Sequence, residues 1–90
     1  MILAEKILAE KRIQRDNDFN LFDKQLDWLN KRLEFHNNLY EDYKVCNYTE
    51  SMTKETNIII KLQIKRGIVE EQRKNLVEGR SYTNIDLYEV

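Results

Sequence analysis

Ninety residues with no proline and only two glycines, Gly67 and Gly79, leave this chain few places to turn. All-β folds need a turn about every 8–12 residues, built from the residue types that are missing here. The chain therefore reads as mostly helix. At this length it is one small domain, near the lower limit of what folds alone. Fifteen Lys and Arg against sixteen Asp and Glu give a formal net charge of -1. That balance excludes a histone-like or polybasic tail protein and supplies no global field to draw in nucleic acid. A hydrophobic content of 41% separates the chain from disordered sequences, which carry less apolar surface and less balanced charge.

Residues 2–15 open with the echo ILAEK-ILAEK and are rich in strong helix formers. Five residues turn a helix through about 500°, so the two copies do not share a face and mark a helix start, not an architectural repeat. Asp16-Asn17-Asp18 follows, and its short polar side chains suit an N-cap. Without Gly or Pro to enforce a break, one helix over about 2–44 is expected, with a break near 16–18 as the alternative. From Phe22 onward, Phe22, Leu26, Leu29, Leu33, His36, Tyr40 and Tyr43 alternate in steps of four and three, a seam with heptad spacing. Leu21, Trp28 and Phe35 lie beside that seam, so this helix has apolar groups on more than one side and needs more than one neighbour.

The segment VCNYTES, 45–51, reads as the inter-helix turn, with Asn47 and Glu50 spaced as a capping box. Residues 52–78 follow two templates. As a helix, Ile58, Leu62, Val69 and Leu76 share a face interrupted by Lys65 and Gln72; as a strand, Ile58, Ile60, Leu62 and Ile64 alternate with period two. Length decides for the helix, since two segments of about 27 residues, each roughly 40 Å long, form a self-consistent antiparallel hairpin. Gly79 stands where a helix C′ residue would. The expected architecture is all-α: a coiled-coil-like antiparallel hairpin over 1–80 with a long first helix, dimerising into a helical bundle. An extended C-terminal arm over 81–90 docks on the bundle or on another chain.

Chemistry-bearing patterns are scarce. The single cysteine, Cys46, allows neither an intramolecular disulfide nor a cysteine-based zinc site. No Gly-rich phosphate loop exists. His36 and Cys46 straddle the end of a helix, and nothing in their spacing makes a nucleophile–base pair. His36 sits on the seam as a structural residue, and Leu33 stands where a di-iron Glu-x-x-His motif would need Glu. The expectation is a non-enzyme without metal or cofactor. Asn47-Tyr48-Thr49 fits a glycosylation sequon, but Glu5 and Lys6 interrupt any signal-peptide core, so a soluble, cytoplasmic protein is expected, without a membrane span.

What remains is surface. Nine aromatics exceed what one hairpin seam can bury, and Trp28, Phe35, Tyr82 and Tyr88 are the candidate partner-binding residues. Phe22, Leu26, Leu29, Leu33, Tyr40, Ile58, Leu62, Val69 and Leu76 are the candidate core and dimer seam. The leading function is a non-enzymatic interaction module, an adaptor, assembly factor or inhibitor of the kind common among phages and mobile elements. A nucleic-acid-binding dimer is the competing class, using Lys61, Lys65, Arg66, Arg73 and Lys74. Those five do not line up along one helix, so two subunits would have to build the phosphate-binding stripe. A structural subunit that self-assembles through its tail is the third reading.

Overall fold

A computed structural model describes residues 2–83 and consists of two helices, α1 (Ile2–Val45) and α2 (Thr49–Val77), packed as an antiparallel hairpin. Among the described residues there is no strand, and no helix is long and apolar enough to cross a membrane. The isoleucine run at 58–60 is helical. In that conformation Leu62, Val69 and Leu76 recur every seven residues on one buried face, whereas a lone strand would leave its backbone donors and acceptors without a ladder.

α1 passes through Asp16–Asp18 without a break. Asp18 caps nothing; its buried carboxylate accepts a hydrogen bond from Gln14 Nε2 one turn earlier (3.1 Å) and another from the Tyr82 hydroxyl beyond α2. A partnered side chain cannot compete for its own backbone, which removes the usual reason for Asp to end a helix.

Both helices end in the same way. Asn47, at φ 59°, follows α1 in the left-handed region; its N–H bonds Lys44 O (3.2 Å), and the Tyr48 N–H reaches back to Tyr43 O (2.9 Å). Gly79, at φ 73°, follows α2; its N–H bonds Leu76 O (3.3 Å), and the Arg80 N–H bonds Asn75 O (2.8 Å). These are two Schellman closures, each satisfying carbonyls that a helix end otherwise leaves bare. The Tyr43 and Tyr48 rings, 6.3 Å apart, supply the side-chain contact that accompanies such a closure. The inter-helix connection is thus shorter than the 45–51 segment suggests. α2 begins at Thr49 behind Tyr48, without a side-chain cap, so the Asn47–Glu50 box does not form.

The core is a single line. Phe22, Leu29 and Leu33 from α1 meet Leu62, Val69 and Leu76 from α2, flanked by Phe19, Leu26, Trp28, Ile58, Ile59 and Tyr82. Cross-links mark the register: His36 to Glu55, Asn30 to Arg66 and Asp23 to Arg73. α2 therefore ends beside Phe22, and α1 continues alone for roughly 15 residues, about 22 Å. Every side chain from Leu3 to Asn17 is exposed, and the molecule measures 68 × 20 × 17 Å.

Candidate interaction surface

A hairpin has two flanks and two outer ridges. Because an antiparallel pair is related by a pseudo-twofold axis across the seam, residues preceding a seam position on either helix face the same flank, and those following it face the other. Asp23, Leu26, Glu70, Arg73 and Val77 line one shallow groove on the following side. Leu21, Trp28 and Phe35 precede Phe22, Leu29 and His36; Lys61 and Ile68 precede Leu62 and Val69. These five share the opposite flank.

On that flank Trp28 is half-buried beneath the Arg32 guanidinium, 5.2 Å from the ring centroid, while Phe35 is 55% exposed and meets His36 edge-on at 5.2 Å. A cation above an aromatic face is held by the ring quadrupole. Tyr82 is not available in the same way. Its ring packs edge-to-face on Phe22 (centroids 5.9 Å apart), and its hydroxyl donates to Asp18. That bond raises the Tyr82 pKa above 10.0: ionisation would forfeit it, and burial and the charge of Asp18 act in the same direction. Tyr88 lies outside the described residues.

The outer ridge of α2 is the second apolar feature. Ile60 and Ile64 each lie about 160° around the helix from Leu62, on the side turned away from α1, and Ile68 continues the row at the i, i+4, i+8 spacing. They are 47%, 59% and 39% exposed. Leu3, Ile7, Leu8 and Ile13 are exposed on the α1 overhang.

The five basic residues divide between faces. Arg66 and Arg73 lie on the groove side. Arg66 Nη1 is 3.3 Å from Asn30 Oδ1 and its Nε 3.9 Å from Glu70; Arg73 Nε is 2.8 Å from Asp23 Oδ1, with its guanidinium 5.6 Å from the Phe19 ring. Lys61 and Lys65 occupy the Trp28 flank, and Lys74 faces the groove. One chain brings together no stripe of five.

Polar seam residues are what sequence reasoning missed. Leu26 sits at the groove edge, half-buried, while Gln25 is buried beside the core. Tyr40 is half-buried in the seam beyond His36. His36 Nδ1 lies 2.6 Å from Glu55 Oε2, with both side chains almost enclosed. Glu55 precedes Leu62 by seven residues, so extending the buried period of α2 back by one heptad would have found it. Among the described residues no group of three or more His, Cys, Asp or Glu side chains could hold a metal ion. Comparison with protein-family models, curated proteins and solved structures finds no match for this chain.

Proposed function

We propose that this chain is a non-enzymatic interaction module, of the adaptor, assembly-factor or inhibitor type, that works by presenting helical faces and first pairs with a second copy of itself through the outer ridge of α2. The observation that carries this reading is the row Ile60, Ile64 and Ile68, exposed on the side of α2 that α1 does not cover. Fully burying an isoleucine contributes about 1.5–3 kcal/mol, so covering these half-open side chains is worth roughly 1 kcal/mol each. Two chains then gain roughly 6 kcal/mol, at the lower end of the about 4–15 kcal/mol that association costs in lost freedom. The ridge alone supports a weak pair; the exposed leucines and isoleucines of the α1 overhang supply the remainder in a helical bundle. Ile64→Lys tests it. The substitution lies outside the intramolecular seam, so the hairpin persists. A wild-type melting temperature that rises with protein concentration and an Ile64→Lys melting temperature that does not are the expected pair of results. Equal behaviour of the two chains refutes the ridge as interface.

A further inference from the structure

Ile60 and Ile64 belong to a longer line. Thr53, Asn57, Ile60, Ile64, Gly67 and Glu71 follow one another along α2 in steps of four and three. At about 100° per residue all six lie within roughly 40° of the direction opposite Leu62, and all six are exposed. α2 therefore carries two heptad lines, the buried one of Leu62, Val69 and Leu76 and an open one on its back. No contact inside the hairpin calls for Gly67 on the open line. A Cβ there meets nothing within 4 Å among the described residues, and its backbone has no positive φ. Yet glycine costs a helix interior roughly 1 kcal/mol relative to alanine.

Two such lines laid antiparallel and centred between Ile60 and Ile64 match residue by residue. Ile60 of each copy meets Ile64 of the other, Asn57 meets Gly67, and Thr53 meets Glu71. Sliding by one heptad sets the isoleucines against Gly67 and Glu71, or against Asn57 and Thr53. A parallel pair sets Glu71 on Glu71, like charge on like. A single polar Asn on a heptad line fixes register in paired helices, and a glycine opposite it leaves room for the carboxamide. Ile68, one position beyond the line, comes beside the Lys54 stem of the second copy. The two Lys61 side chains flank the axis, where their long stems carry the charges out to water. Salt screens that like-charge contact, so it does not weaken the pair.

We infer that the occupant of the α2 ridge is the α2 ridge of a second copy laid antiparallel, with Gly67 as the notch that receives Asn57 and fixes the register. This register rests on the self-association proposed above and gives that contact its geometry, isologous about an axis between Ile60 and Ile64. Isoleucine on isoleucine supplies the attraction. The Asn57–Gly67 layers decide which alignment of the two helices fits.

Cross-linking reads the register. In a Cys46→Ser background one chain carries Thr53→Cys and another Glu71→Cys, both outside the isoleucine centre, and a short bismaleimide is added. A covalent pair from the mixture and none from either chain alone is the expected result. Residues 53 and 71 stand about 27 Å apart along one α2, so only the antiparallel register brings them together. Covalent pairs from each chain alone would mean parallel ridges and overturn the proposal. Gly67→Lys gives a second readout. It should leave the dilute chain at least as helical, yet raise the Kd of the pair roughly tenfold or more, as filling a fitted contact does. Gly67→Lys combined with Asn57→Asp should restore the pair, because the new charges meet between copies but lie about 15 Å apart within one helix. A Gly67→Lys chain that pairs as well as wild type, or a double variant that does not recover, overturns the notch. The two readings fail differently. A pair that Ile64→Lys abolishes but that does not link 53 to 71 refutes the register and leaves the ridge standing. A pair that survives Ile64→Lys, or no pair at all, refutes both.

Discussion

Leu29→Ala probes the seam at its centre. Leu29 is fully enclosed and belongs to one cluster with Phe22, Leu33, Leu62 and Val69. Removing a buried leucine side chain costs about 2–5 kcal/mol, the spread reflecting how far the surroundings close over the gap. A two-helix seam is open along its flanks and can relax, so the lower half of that range, about 2–3 kcal/mol, is expected here. For a chain of this size each kcal/mol lowers the melting temperature by about 4–8 °C, giving a fall of roughly 10–20 °C. With a urea slope of about 1–3 kcal/mol/M the midpoint moves by roughly 1–2 M. Leu26→Ala is the internal control: chemically identical, one turn away, but half-buried at the groove edge. It should cost clearly less. Thermal and urea unfolding followed at 222 nm measure both. Equal losses would restore the register that periodicity alone suggests, with Leu26 in the seam, and refute the placement of Gln25 there; a near-wild-type Leu29→Ala would refute the seam itself.

The glycines should respond in opposite directions: Gly67→Ala gains about 0.5–1 kcal/mol, because a Cβ there meets nothing within 4 Å inside a helix, whereas Gly79→Ala loses stability at φ 73°. Absorbance at 295 nm across alkaline pH should show a late tyrosinate phase from Tyr82, and Tyr82→Phe should abolish it. Since Tyr82 binds its proton more tightly folded than unfolded, its contribution is complete below pH about 10 and is lost as pH rises through the raised folded value. His36→Leu alone should cost about 1–3 kcal/mol by stripping the enclosed Glu55 carboxylate of its partner. His36→Leu with Glu55→Leu should be close to wild type or better, because an apolar pair of similar volume avoids the desolvation that the polar pair incurs.

The helical hairpin was legible because two independent signals agree: among the described residues the chain turns only near 47 and 79, and apolar residues keep heptad spacing on both helices, every three to four residues along α1 and every seven along α2. The details that escaped are polar. Gln25 and Glu55 look like surface residues by side-chain type; the heptad period of α2 reaches Glu55, but only the antiparallel register puts it beside His36. Asp18 resembles a cap for the same reason, since its decisive partner, Tyr82, lies 64 residues further along the chain. The surplus of aromatics was visible in the composition, but composition does not say which are consumed internally. Tyr82 turns inward on Phe22, whereas Phe35 stays open.

Molar mass in solution, measured by light scattering on a sizing column at low and high salt, tests the central claim that the faces left open by the hairpin are used for association. A dimer whose mass does not fall as salt rises is expected, because apolar burial carries it and charge does not. A monomer at every concentration, or a dimer that dissociates as salt is raised, would contradict it.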